Sequence, residues 1–163
     1  MQHFQQFKYI QPFTLIYLLH DDKALLIKRK NDKLLLPGKI IGLGGKVEST
    51  EDLFTSAIRE FQEESGLTIP CPELKGNFTW MNEKGEIGIT HLMVVREHSG
   101  TLKTSHREGE LGWYDVADLP TLPDFAEYQR SFVPKIFSSS PFFYTGLSFS
   151  VKGRRQTYID NLD

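Results

Sequence analysis

Cysteine is nearly absent: Cys71 is the only one in 163 residues. That excludes an intrachain disulfide and a thiolate-held metal cluster. Long apolar runs are missing too. The strongest one near the N-terminus, Phe13 to Leu19, falls far short of the ~20 residues a membrane helix needs. The opening segment MQHFQQFKYIQPF has one lysine and no continuous apolar stretch, so it does not read as a secretory leader. A cytoplasmic chain with no membrane partner is the expectation. Nor is there an excess of positive charge. Nineteen Lys and Arg face 21 Asp and Glu, for a formal net charge of −2, which argues against a nucleic-acid partner. A small phosphorylated ligand stays open, because it needs only a local cation cluster or a metal. There is no internal repeat and no low-complexity linker.

What is present suits a packed core. Hydrophobic residues make up 39% and charged residues 25%, ordinary globular usage, and the length fits a single domain over residues 1–163. Residues 13–19 and 24–28 read as two buried strands around an Asp21-Asp22 turn, with Lys33 to Leu36 extending the second until Pro37-Gly38 breaks it. Residues 51–65 read as a helix with Leu53, Phe54, Ala57, Ile58 and Phe61 on one stripe, stopped by Gly66. Residues 74–81 and 86–96 look like a hairpin around Asn82 to Gly85, and Leu111 to Asp115 is a further strand. Asp124 with Glu127 resembles a capping box opening a second helix, with Phe125, Tyr128, Phe132 and Ile136 as its apolar stripe and Pro134 kinking or shortening it. The tail, Phe142 to Val151 and Arg154 to Ile159, reads as a hairpin turned at Lys152-Gly153. The class is α/β.

The chemistry concentrates on the helix at 51–65. Glu60, Glu63 and Glu64 stand at i, i+3 and i+4, so their carboxylates leave one helical face. Like charges so spaced cost ~0.2–0.5 kcal/mol per pair on an exposed helix. A hard divalent cation such as Mg²⁺ reverses that sign. Taken alone, the cluster is equally a solvated acidic face partly neutralised by Arg59. Its surroundings add to it. From Gly45 five residues lead to Glu51 and seven more to Arg59-Glu60, followed by Phe61, Gln62, Glu63, Glu64, Ser65, Gly66 and Leu67. Seven identities and two apolar positions in this frame arise by chance on the order of once in 10⁷ chains.

This pattern, over residues 45–67, resembles the Nudix box. The resemblance implies an α/β/α sandwich with a central mixed β-sheet and a loop-helix-loop catalytic segment. It also implies roles at the matching positions. Glu60, Glu63 and Glu64 would bind Mg²⁺, with Mn²⁺ as an alternative, together with the carbonyl of Gly44. Arg59 would orient Glu60, and Glu51 would be a structural partner near the helix start. A further ligand would come from the loop before Trp113, where Glu108 has the matching spacing and Glu110 is the reserve. One glutamate, Glu60, Glu63 or Glu108, would act as base toward water.

Beyond the box, the segments GlyLeuGlyGlyLysVal, GlyGluLeuGlyTrpTyr and LeuProAspPhe are similar to the 8-oxo-dGTP diphosphatase branch of that family. This implies hydrolysis of nucleoside triphosphates, oxidised ones included, to the monophosphate and pyrophosphate, by a monomer or homodimer. Asp124 would read the base, with Glu127 as substitute, unless it only caps a helix. Trp80, Phe78 and Phe125 offer stacking surfaces or plain core, Lys28, Arg29 and Lys30 leave a strand where phosphates could lie, and Lys46 is a further candidate contact. Ile41 stands where vertebrate members carry a base-reading asparagine. His20, His91, His98 and His106 have no ligand spacing. The alternatives are a Nudix-fold nucleotide sensor without turnover, or an enzyme acting on another nucleoside diphosphate derivative or an RNA 5′ end.

Overall fold

The computed structural model describes residues 10–81 and 86–139, together with the backbone of residues 143–148. Alternating apolar residues build a twisted sheet whose two faces are both covered. Strand β1 (Ile10–His20) and strand β2 (Lys23–Arg29) form a hairpin, followed by a two-residue strand β3 (Ile40–Ile41) and helix α1 (Leu53–Ser65). Then come β4 (Leu67–Thr68), β5 (Glu73–Met81), β6 (Ile87–Val95), β7 (Ser99–Gly100), β8 (Ser105–His106), β9 (Gly109–Asp115), helix α2 (Val133–Phe137) and β10 (Phe143–Ser148). The main sheet runs β10-β5-β6-β1-β2-β9-β8, with β3 added on β2. It is mixed: β1 is parallel to β6 and β10 to β5, while β1–β2, β5–β6 and β2–β9 are antiparallel.

The two-residue period of β1 sorts the core. Ile16 and Leu18 join Leu25, Met93 and Val95 under Ala57 and Phe61 of α1. Leu15, Tyr17 and Leu19 point the other way, to Leu92, Val94, Phe125, Phe132 and Ile136. The architecture is therefore the expected α/β/α sandwich.

Helix α1 begins two residues later than expected, at Leu53, because the Asp52 side chain accepts from the Phe54 and Thr55 N–H groups and so caps it. It ends at Gly66, as expected, in the left-handed conformation with φ 78°.

Several expectations need correction. Lys33 to Leu36 do not extend β2, which ends at Arg29. Leu34 is 100% exposed and Leu36 has φ 52°, so this leucine run is a loop with no sheet edge to join. Asp124 opens no helix. The chain at Asp124–Phe125 instead lies against β3, with a hydrogen bond from the Ile40 N–H to the Asp124 carbonyl and another from the Ala126 N–H to the Ile40 carbonyl. A short 3-10 turn follows at Glu127–Gln129, and only then α2, with Pro134 in its first turn rather than at a kink. Long-range pairing to Ile40 outcompetes the local capping signal. The 74–81 and 86–96 strands form the expected antiparallel pair, while its turn at 82–85 lies outside the described residues. Of the tail hairpin, only β10 is described; its second half and the Lys152-Gly153 turn lie outside the described residues.

Below Leu18↔Leu25 the strands β1 and β2 no longer pair with each other. Residues 40–46 fill the gap as a strap. Ile40 and Ile41 pair with Lys28 and Ile27 of β2, then Leu43 and Lys46 bridge to Ile16 and Phe13 of β1. Phe61 anchors α1 over this region and is 0% exposed. Phe61→Ala should therefore destabilise the fold by about 3–5 kcal/mol, as burial loss and a cavity add. Urea unfolding checks it, and a loss under about 1 kcal/mol would mean α1 is not held by this contact.

Candidate active site

The strap and α1 meet edge to face. The Gly44 N–H donates to the Glu64 carboxylate at 2.8 Å, and Thr14 of β1 donates its N–H to the Gly45 carbonyl at 2.8 Å. Both glycines are required by contact. Gly44 has φ 140°, and a Cβ there would stand 2.3 Å from the Thr14 carbonyl oxygen. At Gly45 a Cβ would lie 2.6–2.8 Å from the carboxyl atoms of Glu60. The box glycine thus makes room for a box glutamate.

Arg59 gathers three carboxylates. Its Nε and Nη2 take Glu51 at 2.9 and 2.6 Å, and its Nη1 reaches Glu60 at 2.9 Å and Glu63 at 3.4 Å. The paired hydrogen bonds from Arg59 hold the Glu51 carboxyl down to about 2. Glu51 faces Arg59, the place of a structural partner. Glu63 is half-exposed, Glu60 mostly covered, and Glu64 is 5% exposed.

Burial dominates Glu64 and pushes its carboxyl up to about 8; the negative charges of Glu60 and Glu108 push the same way, while the Gly44 N–H and Arg29 oppose them. Glu108 comes from the turn before β9 and lies on this side of the sheet. Its burial acts against the charged form, but Lys33 at 3.0 Å, with Arg29 and Arg107, keeps its carboxyl below the usual range. Glu110, the reserve candidate, is in register with Lys28 on the opposite face. The structure therefore brings Glu108, and not Glu110, to Glu64.

Among the described residues, no three Asp, Glu, His or Cys side chains already close on one point as a metal cage. Cations of the protein hold them apart: Arg59 takes Glu60 and Glu63, while Lys33 and Arg29 take Glu108. The donor set nevertheless fits a hard divalent ion. It is all oxygen, and it includes one nearly buried carboxylate whose like-charged neighbours leave it short of positive charge.

The Lys28–Asp124 pair falls on the opposite face. Lys28 Nζ pairs with Asp124 at 2.8 Å, both half-exposed, which raises the lysine and lowers the carboxyl. Asp124 is thus an ion-pair partner and not a helix cap. Tyr114, its hydroxyl raised by burial, is coupled to the same pair. Glu127 instead pairs with Arg130 at 3.1 Å. Phe78 and Phe125 are 3% and 1% exposed. Phe78 is stacked on Tyr128, with ring centroids 5.3 Å apart, so both belong to the core and neither offers a free stacking face. Trp80 lies at the margin, against Phe13 and bonded through its indole N–H to Thr90. Lys46 is exposed, and its carbonyl accepts from Ser56 of α1. His91 is paired with Asn77.

Sequence reasoning missed Lys33 and the true place of Arg29. Arg29 hydrogen-bonds the Leu35 carbonyl at 2.9 Å and meets Glu108 at 3.4 Å. It is one of three consecutive basic residues, and strand alternation alone could have set it apart, since it faces away from Lys28 and toward the glutamates.

The chain matches the family model described as NUDIX domain over residues 11–136. It is 36% identical over 119 residues to the Nudix hydrolase YvcI of Bacillus subtilis, covering 71% of this chain and 72% of that one. It is 31% identical to an oxidized purine nucleoside triphosphate hydrolase of Danio rerio, covering 66% and 67%. It is 32% identical to an ADP-ribose pyrophosphatase of Methanocaldococcus jannaschii, covering 63% and 60%. In fold it is similar to the mutator MutT protein from Bacillus halodurans, with TM-score 0.80 at 24% identity, covering 93% and 97%.

The metal-free state has a pH signature. A carboxyl raised in the folded chain gives stability that is fully present below its unfolded value, near 4.5, and lost as pH rises through about 8. In chelator, the native chain should lose on the order of a few kcal/mol across that window, and Glu64→Gln should flatten the loss. Chemical unfolding at a series of pH values decides it, and parallel curves would remove Glu64 as the cause.

Proposed function

The chain belongs to the Nudix family of hydrolases, which act on nucleotide pyrophosphate bonds, and from that premise we propose that it hydrolyses nucleoside triphosphates, oxidised purine nucleotides such as 8-oxo-dGTP included, to the monophosphate and pyrophosphate. The observation that carries this reading is the pairing of Glu64 with the Gly44 N–H beside Glu60, Glu63 and Glu108. An acidic pocket of this kind repels a polyphosphate unless a cation joins the two.

Nudix hydrolases generally use divalent metal ions. Glu60, Glu63, Glu64, Glu108 and the Gly44 carbonyl are the groups that would hold Mg²⁺, or Mn²⁺, here. The bound ion supplies positive charge for the phosphate oxygens and acidifies water. The chain supplies the rest. Arg59 keeps Glu60 and Glu63 oriented. A glutamate takes the proton of the attacking water while the P–O bond to the leaving pyrophosphate breaks. Lys33 and Arg29, now spent on Glu108, become available to phosphates once that charge is satisfied.

The Danio rerio relative is named for oxidised purine triphosphates and the Methanocaldococcus jannaschii one for ADP-ribose, so both ligands belong in one assay panel. The triphosphate reading rests further on the Lys28–Asp124 pair, which offers a purine both an acceptor and a donor at the rim opposite the glutamates.

With Mg²⁺ present, Glu63→Gln and Glu64→Gln should each lower kcat by roughly 10²-fold or more, the scale of losing a transition-state charge contact. Near-normal turnover in both, on the best nucleotide of the panel, would sink the metal assignment.

Asp124→Asn exchanges an acceptor for a donor, and a mismatch against a base edge costs ~1–3 kcal/mol. The ratio of 8-oxo-dGTP to dCTP activity should then fall about tenfold, with little change in melting temperature. If Asp124 only ties down Lys28, then Lys28→Met and Asp124→Asn will leave that ratio alike and unchanged.

A further inference from the structure

The strap that carries Gly44 is held from the far side of the sheet by one side chain. Gln129 is 0% exposed. Its Oε1 accepts from the Tyr17 hydroxyl and from the Gly42 N–H at 3.3 Å, and its Nε2 donates to the Ile40 carbonyl at 3.0 Å. Ile40 C=O and Gly42 N–H are the two peptide groups on either side of Ile41. In a sheet, a neighbouring strand bonds such a pair with its own peptide groups. On this edge of β3 the Asp124–Ala126 segment pairs with the N–H and carbonyl of Ile40, and the Gln129 amide carries the pairing on to the Gly42 N–H while adding a second donor to the Ile40 carbonyl.

Tyr17 fixes which way that amide points. With its hydroxyl donating, the oxygen must face Tyr17 and Gly42, leaving the NH₂ for Ile40. Tyr17 and Gln129 belong to the core layer of Phe132 and Ile136, whereas Glu64 belongs to the layer of α1. The Gln129 amide therefore passes positional information between the two layers. Downstream of Gly42, Leu43 exchanges hydrogen bonds with Ile16, and the Gly44 N–H reaches Glu64. Without Gln129, the Gly42 N–H loses this partner while the Ile40 carbonyl keeps the Ala126 N–H, and buried polar groups seldom go unpaired.

We propose that Gln129 is a positioning residue: its side-chain amide, locked by Tyr17, sets the course of residues 40–44 and hence the place of the Gly44 peptide beside Glu64. This rests on the proposed activity only for its kinetic consequence; the structural part is independent of substrate. The role separates Gln129 from its neighbours Tyr128 and Phe132, which fill space.

The test uses the full chain carrying Gln129→Met, which keeps the side chain's length and removes its polar atoms. Backbone amide exchange in the metal-free protein is the first reading. Protection at Gly42, Leu43 and Gly44 should fall by roughly tenfold, the scale of one lost buried hydrogen bond. Amides of the β1–β6 ladder should keep their protection. The second reading is kinetic: kcat on the best nucleotide should fall by about tenfold or more, and the Mg²⁺ concentration for half-maximal turnover should rise. Tyr17→Phe, which leaves the Gln129 amide in place but unlocked, should reproduce the same pattern more weakly; it also serves if the Gln129→Met chain does not fold.

Uniform loss of protection across the sheet, with melting temperature and all substrates falling together, would make Gln129 ordinary core and overturn the proposal. So would loosened strap amides with unchanged kcat. A wild-type chain inactive on every nucleotide, yet showing the selective exchange change in its variant, would refute the triphosphate reading and leave the positioning role standing.

Discussion

Past Leu18 and Leu25 the first two strands cease to pair, and residues 40–46 occupy the opening between them. The acidic site depends on this divergence. A continuous β1–β2 ladder would leave no edge for Leu43 to bridge Ile16, and no peptide N–H facing α1 at Gly44. The opening is narrow, so side chains are excluded from it. Gly44 cannot carry one against the Thr14 carbonyl, and Gly45 cannot carry one against Glu60. Backbone approaches the carboxylates here because side chains have been removed from the path.

Charge is the second constraint, and it works against the fold. Burial raises the cost of ionising Glu64, and the negative charges of Glu60 and Glu108 add to it. The chain answers with its own cations, Arg59 from within the helix and Arg29 with Lys33 from the β2 exit. Two of these three lie on or beside the leucine loop. Arg59 is different: its bidentate grip on Glu51 ties it to the helix start. The α1 side is thus held from within the helix, and the Glu108 side by cations from the β2 exit. An arrangement that is electrostatically unsatisfied when empty is the kind that gains most from a cation.

Legibility followed the range of the interactions. Glu60, Glu63 and Glu64 could be read as one cluster because three- and four-residue spacing fixes their common face. Gly45 and Glu51 could be read from the box, and Glu108 from its distance to Trp113. Failures came where local signals lost to distant partners. The leucines at 34–36 have strand character, but the chain turns at Leu36 and leaves Leu34 in solvent. Asp124 has the look of a cap, yet its backbone is claimed by Ile40 and its carboxylate by Lys28. Gln129 interrupts an apolar stripe between Tyr128 and Phe132, and nothing local says that its amide completes a strand edge some ninety residues away; the separation to Ile40 is 89 positions.

Selectivity has to come from outside the box. Relatives with 31% and 32% identity are named for different nucleotides, an oxidised purine triphosphate and ADP-ribose. In this chain the groups on the rim of the Lys28–Asp124 pair come from β2 at Lys28, from β9 at Glu110 and Tyr114, and from the turn at Asp124. None of them touches α1. The strap contacts both sets, bonded to the Asp124 carbonyl at Ile40 and to Glu64 at Gly44. Four residues of backbone therefore separate the group proposed to read the base from the carboxylate proposed to hold the metal. The Gln129 amide sits between these two ends, bonded to the Ile40 carbonyl and the Gly42 N–H.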